Sequence, residues 1–221
     1  TPAQAMVGLA ELARCRALRD GGAGLEFVNQ VIRGQAYLSV PASLRRILHG
    51  QVADLLIEKE AKGLGVPGLE IAWHCARSGR REESTRYLMS GAREAIRHGA
   101  PHEAELALRS GMPSIPVGEQ HAASILLAEV LQELGRWGES LLILREEAHE
   151  GDDDMQARSY LRMVLADTHL GTLDQRHLEP LRGNLCRLIR EGQTIPTRAL
   201  AALAAASTAL TRSAAYRAPI F

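Results

Sequence analysis

The strongest pattern of apolar and polar positions along the chain lies between residues 41 and 60. Apolar residues recur there every three to five positions and polar residues fill the opposite face, which is typical of an amphipathic helix. Pro41 fits the first turn of this helix, and Ser39 is the predicted N-cap. The face predicted to be buried, against the first helix and Phe27, consists of Leu44, Ile47, Leu48, Val52, Leu55 and Leu56.

The residues before this helix predict three shorter elements. Apolar spacing indicates a first helix over residues 3–19, which the glycine-rich segment DGGAG would end. Leu25 and Phe27, with Val28 at the edge, are predicted to form a short strand, and a second helix is expected over residues 28–37. No other strand is predicted.

The segment KGLGVPG at residues 62–68 is rich in glycine and proline and predicts a linker. We therefore divide the chain into domains 1–62 and 63–221. Beyond the linker, amphipathic segments end at Gly99, Gly135 and Gly171, which are each 36 residues apart. A period of this length is typical of tetratricopeptide-like helical hairpins. A last helix is predicted from Thr197 to about Ala215.

The run FVNQVIRGQAY followed by LRRILHGQVADLL also resembles a known family. It is similar to the end of the ATPase module in LuxR-type transcriptional regulators and their cyclase- and kinase-linked relatives. Asn29 stands where that family usually has His. The resemblance continues through EIAWHCARSG and YLMSGAREAIRHGAPHEAELAL, and so covers residues 25–108. The matching positions are Phe27, Val31, Ile32, Arg33, Tyr37, Pro41, Leu48 and His49.

The resemblance implies an all-α fold with a winged-helix-like N-terminal unit, followed by an α–α superhelix of tetratricopeptide-like repeats. It also implies a regulatory part of a signal-transduction ATPase that acts in transcriptional control. In such an ATPase, Asn29 and Arg33 would face the nucleotide. For Asn29 alone, capping a helix or lying at the surface is the competing interpretation.

Composition excludes several classes of function. Lys and Arg number 26, and Asp and Glu also number 26, so no net field draws the chain to nucleic acid or to an anionic membrane. Aromatic residues make up 4%, too few for a base-stacking surface. The helix over residues 28–37 does carry Asn29, Gln30 and Arg33, but its surroundings are neutral. We therefore do not expect direct contact with DNA.

Three cysteines without a CxxC spacing indicate reduced thiols in a cytoplasmic protein. No apolar run reaches the length of a membrane span, and no signal peptide is predicted. Because the chain begins at Thr1, we expect it to be a piece of a longer protein.

Catalytic motifs are missing from the sequence. It contains no GxxxxGK[ST] phosphate loop, so we expect no tightly bound ATP and no other cofactor in this chain. His74 with Cys75, and His98 with His102, fall short of a zinc site, and the histidines are expected to face solvent or to cap helices. Trp73 and Trp137 are expected to lie in the core between repeats. An enzyme is the third choice of function.

The preferred functional hypothesis is a repeat surface that binds a protein or peptide, or an effector, and controls the ATPase. Stacked hairpins present one helix of each pair along a shared face. The polar residues predicted on that face are Arg93, Arg97, Glu129, Gln132, Arg162 and Asp167. The alternative is a free-standing tetratricopeptide-type scaffold that docks protein partners. Homo-oligomerisation is compatible with the sequence.

Overall fold

A computed structural model describes residues 2–22, 24–147, 151–172 and 175–192, and positions 194, 197, 198, 202 and 204. In these residues the chain is mostly helical, with one two-stranded sheet, which confirms the all-α prediction. The elements are α1 (Pro2–Arg14), β1 (Leu18–Asp20), β2 (Leu25–Phe27), α2 (Gln30–Ser39), α3 (Ala42–Ala61), α4 (Gly68–Ser78), α5 (Arg81–Arg97), α6 (Pro101–Gly111), α7 (Val117–Glu133), α8 (Trp137–Glu147), α9 (Asp153–Leu170) and α10 (Gln175–Glu191).

The N-terminal unit contains one more strand than the sequence predicted. The first helix ends at Arg14 instead of residue 19, and the chain then enters β1. β1 pairs with β2 in an antiparallel hairpin in which Leu18 lies opposite Phe27. Gly21, Gly22 and Gly24 of the glycine-rich segment lie between the two strands, and Asp20 accepts a hydrogen bond from the amide of Gly22 at 2.9 Å. The glycines therefore turn a strand pair and do not end a helix.

Helix α3 buries only part of the predicted face: Val52 and Leu56 are half-buried, and Leu56 packs against the core, but the four other residues of that face are exposed. Leu44, Ile47, Leu48 and Leu55 are 44–58% exposed, whereas His49 and Ala53 are buried. The prediction was wrong for the four exposed residues because α3 packs against α4 through the side of the helix that carries His49 and Ala53. The predicted N-cap is also wrong, since Ser39 ends α2 and its hydroxyl donates to the carbonyl of Ala36.

Beyond α3, the structure confirms a segment without helix at the predicted linker and the helix ends at the recurrent glycines, whereas the division into two domains stays a prediction. Residues 62–67 connect α3 to α4 without helix. Gly79, Gly99, Gly135 and Gly171 follow α4, α5, α7 and α9, each with φ between 65° and 87°. Backbone in this left-handed region ends a helix and favours glycine, which explains the recurrent spacing. The core nevertheless continues across the linker, because Ala53 of α3 packs in the same cluster as Ile71 and Cys75 of α4.

Consecutive helices from α4 to α10 pack against each other, and α7 also contacts both α5 and α9. Small residues allow the closest approach: a methyl group placed on Gly91 of α5 would lie 2.6 Å from the amide nitrogen of Leu69 in α4. A core cluster extends from α3 to α7, and a second cluster joins α9, α10 and Ala204. The last predicted helix, 197–215, lies mostly outside the described residues, although 197, 198, 202 and 204 are helical.

Candidate partner-binding groove

A groove of about 680 Å³ opens where α5, α7 and α9 lie side by side. Each of these helices is followed by one of the glycines spaced 36 residues apart. We call it the α5–α7–α9 groove. Its lining residues are Arg93, Ala122, Ile125, Leu126, Glu129, Asp152, Asp154, Met155, Arg158, Leu161, Arg162 and Leu165.

The apolar part of the α5–α7–α9 groove comes from the facing sides of α7 and α9. Ile125 and Leu126 are 8% and 3% exposed and belong to the packed interior, whereas Leu165 is 45% exposed. An exposed leucine beside buried apolar residues offers contact area to a ligand that enters from solvent. The groove can therefore accept an apolar side chain.

Three charged or polar side chains join α7 to α9, two of them in the groove lining and the third, Gln132, behind it. Arg162 forms an ion pair with Glu129 at 2.5 Å, and its Nη1 donates to Oε1 of Gln132 at 2.9 Å. Gln132 in return donates through Nε2 to the carbonyl of Arg162 at 3.1 Å. Because these bonds are reciprocal, Gln132 and Arg162 hold each other in place. Their main effect is to fix the spacing of α7 and α9.

Arg93 is the cation of the groove that remains available. Within the described residues it forms no ion pair, and its hydrogen bond goes to the carbonyl of Met89 on its own helix, at 3.5 Å. The side chain is exposed. Arg158 by contrast is paired with Asp154 at 2.9 Å. A carboxylate brought by a ligand would therefore meet Arg93 without displacing another anion.

The six predicted partner-binding residues divide into three groups. Arg93, Glu129 and Arg162 line the groove together. Arg97 is exposed on α5 but lies outside the groove lining. Gln132 and Asp167 are each 5% exposed, so the expectation that they face solvent was wrong.

The burial of Asp167 has a clear structural reason. Asp167 accepts hydrogen bonds from Arg145 of α8 at 3.2 Å and from Thr172 at 2.8 Å, and so ties α8 to the end of α9. A carboxylate between two helices needs such partners, because an unpaired buried charge is costly.

Asn29 and Arg33, the residues implied to face a nucleotide, lie on α2. The side-chain oxygen of Asn29 accepts from the amide of Ile32 at 2.8 Å, which makes Asn29 the N-cap of α2. This agrees with the capping interpretation. Arg33 is exposed one turn further on.

Sequence reasoning missed the apolar lining of the groove. Leu161 and Leu165 are four residues apart and therefore lie on one face of α9, a signal that was available. The run Ile125–Leu126 gave no such signal, since apolar and polar residues are spread around α7 without one distinct apolar face. Trp73 was also misjudged: it is 47% exposed, so it is not a core residue.

Comparison with known proteins finds no matching family model, no similar curated protein and no similar solved structure. Among the described residues, no three His, Cys, Asp or Glu side chains are placed to hold a metal ion. Within the same residues, none of the helices combines the length and the apolar character needed to cross a membrane.

Proposed function

We propose that this chain is a regulatory segment of a signal-transduction ATPase acting in transcriptional control, and that its helical repeats bind a protein or peptide in the α5–α7–α9 groove. In this proposal residues 1–62 form a winged-helix-like unit and the hairpins form an α–α superhelix of tetratricopeptide type. The resemblance over residues 25–108 supports the first part. The groove supports the second.

The observation that carries the proposal is the combination of an exposed apolar surface with an unpaired arginine. Leu165 offers an apolar contact, and Arg93 offers a cation on the neighbouring part of the groove. A small apolar ligand would need a closed pocket, whereas this groove is open to solvent along α9. An extended peptide with an apolar residue and a carboxylate fits both features.

The alternative, a free-standing scaffold, uses the same groove but leaves the N-terminal unit unexplained. Of the twenty large apolar side chains that are exposed in the described chain, fourteen lie between Met6 and Leu64. A protein that works alone would leave this surface in water. The surface therefore favours a unit that is covered by another part of a larger assembly, as an ATPase module would do.

The same proposal includes a contact between α2 and the nucleotide of the ATPase. If an ATPase module supplies the phosphate loop, Arg33 is the residue of α2 that could reach a phosphate, because the side-chain oxygen of Asn29 is engaged in capping. This chain by itself is proposed to have no catalytic centre.

The groove is tested by selecting peptides from a displayed random library on the immobilised chain and measuring their affinity by calorimetry. We expect selected peptides to share an apolar residue and an Asp or Glu. Arg93→Glu should weaken their binding at least about tenfold, since it replaces an attractive charge with a repulsive one.

Arg97→Glu provides the matched control, because it makes the same change on the same helix outside the groove. Its affinity should stay within about twofold of the unchanged chain. Equal losses from the two variants would show that binding depends on general charge and not on the groove. Failure to select any peptide would count against the proposal.

A further inference from the structure

A cluster of polar rings lies where α2, α3 and α4 meet, outside the groove. Its central member is His49 of α3, which is 7% exposed. Nε2 of His49 lies 3.0 Å from the hydroxyl of Tyr37 in α2, and Nδ1 of His49 lies 3.0 Å from Nδ1 of His74 in α4. Arg77 of α4 donates to the same tyrosine hydroxyl at 3.4 Å. We call these four residues the Tyr37–His49–His74–Arg77 cluster.

One assignment of donors and acceptors satisfies the hydrogen bonds of this cluster when both histidines are neutral. Arg77 can only donate, so the oxygen of Tyr37 accepts from it, and the O–H of Tyr37 is free to donate to Nε2 of His49. Neutral His49 then carries its proton on Nδ1 and donates it to Nδ1 of His74. His74 carries its own proton on Nε2. Every donor between these side chains meets an acceptor when the two histidines are neutral, and one added proton is still accommodated in an N–H···N bond between the two rings.

Full protonation breaks this arrangement. Two imidazolium rings would each carry a proton on Nδ1, so two N–H groups would face each other at a distance of 3.0 Å without an acceptor. Further positive charge surrounds the pair: Arg45 lies over the ring of Tyr37 at 4.8 Å, and Arg77 lies over the ring of Trp73 at 5.1 Å.

The charged neighbours on each element agree with this account. Burial is the main cause that lowers the pKa of His49, followed by His74 and Arg77 of α4 and Arg45 of α3. Burial also lowers the pKa of His74, although Glu70, the carboxylate that faces it, acts in the opposite direction. Both histidines therefore resist protonation in the packed state.

We propose that the His49–His74 pair is a proton-sensitive latch, which holds α2 and the first half of α3 against α4 when neutral and releases them in mild acid. The pKa of each histidine is below 6.5 in the closed state and returns toward 6.5 when the pair separates. The open state thus binds more protons. Closure is fully favoured above pH 6.5 and is lost as the pH falls through the lowered pKa values.

The opening is local, because other contacts between α3 and the hairpins do not depend on these histidines. Arg80 forms an ion pair with Asp54 at 2.6 Å, and Tyr87 donates to Glu60 at 3.1 Å. Both contacts involve the second half of α3, where Ala53 is also buried. The second half of α3 stays packed while α2 and the turn that carries His49 loosen.

Trp73 is a built-in reporter of the latch. Its ring lies edge to face with His49 at 4.9 Å and with His74 at 4.8 Å between centroids. Trp137→Phe removes the other tryptophan of the chain. In that background, fluorescence measured from about pH 8 to about pH 5 should change with a midpoint below the ordinary histidine value. The change should coincide with faster amide exchange in α2.

The rate of amide exchange in α2, corrected for the intrinsic effect of pH, should rise as the pH falls. The rise should be about tenfold per pH unit for each proton taken up on opening. Exchange in α7 should stay constant over the same range. His74→Asn should abolish both pH-dependent changes, whereas His102→Gln, which alters an exposed histidine, should preserve them.

Two results would overturn the latch. One is a pH dependence in the His74→Asn variant equal to that of the parent. The other is constant exchange in α2 down to about pH 5 in the parent chain, which decides the matter even if the variant does not fold.

Discussion

The N-terminal unit leaves most of its large apolar side chains exposed, whereas the helical hairpins bury most of theirs. In the described part of residues 6–64, only Leu18 and Ala53 are buried apolar residues, while fourteen large apolar side chains are exposed. In the hairpins from Gly68 to Leu170 most apolar residues are buried, and even Gln132 and Asp167 are enclosed. Both regions have amphipathic helices. An apolar stripe therefore shows which face can be buried, and a neighbouring helix decides whether it is.

The largest difference between the two regions should appear in matched leucine truncations. Leu131 in α7 is fully buried, so Leu131→Ala should lower the free energy of unfolding by about 2 to 5 kcal/mol. Leu48 in α3 is 44% exposed, and Leu48→Ala should cost about 1 kcal/mol or less. Chemical denaturation measures both. Similar losses would mean that the exposed face of α3 is packed in solution.

A smaller effect is expected from the contact between α4 and α5. A methyl group on Gly91 would meet the backbone of Leu69 at 2.6 Å and of Gly68 at 2.8 Å, and backbone cannot move aside as a flexible side chain does. Gly91→Ala should therefore destabilise the hairpins by about 1 to 3 kcal/mol.

Gly183→Ala is the matched control for that change. Gly183 lies within α10, and nothing occupies the space around an added methyl group there. The control should stabilise the chain by about 0.5 to 1 kcal/mol, because alanine favours helix over glycine. Stabilisation by both substitutions would refute the close approach of α4 and α5.

The smallest effect concerns the polar contacts inside the hairpins. Gln132→Ala removes the two hydrogen bonds with Arg162 and should cost about 1 to 2 kcal/mol. Arg97→Ala, on an exposed side chain, should change stability by less than about 0.5 kcal/mol. Thermal unfolding compares the two. If Gln132→Ala were as mild as Arg97→Ala, the side chain would be a surface residue as the sequence suggested.

Local signals explain which parts of the fold were predictable. The ends of α4, α5, α7 and α9 follow from glycines that favour the left-handed backbone, and the linker follows from its glycine and proline content. The cap of α9 by Asp152, which accepts from the amide of Met155 at 2.8 Å, is likewise a local effect of the GDDD run. Such features depend on neighbours within a few residues.

The buried face of α3 could not be predicted in this way. A stripe of leucines and a second stripe with His49 and Ala53 both run along the helix, and the leucines are the more apolar of the two. Packing against α4 decides which face of α3 is buried, because the small side chain of Ala53 packs in the same cluster as Ile71 and Cys75 of α4. A contact between residues about twenty positions apart leaves no periodic signal in either segment.

The candidate site was predicted in part for the same reason. Helical phase placed Arg93, Glu129 and Arg162 on helices that meet in the groove. It could not show that Gln132 turns inward, because its partner Arg162 is 30 residues away on another helix. The histidine pair was missed as well, since His49 and His74 are brought together by the packing of α3 on α4.

Amide hydrogen exchange of the intact chain at neutral pH, measured by mass spectrometry, tests the contrast between the two regions most directly. Amides in packed helices exchange only when the helix opens, whereas a short helix without a packed face opens readily. We expect strong protection of α5 and α7 and little protection of α1, whose described side chains are all exposed. Protection of α1 equal to that of α7 would contradict it.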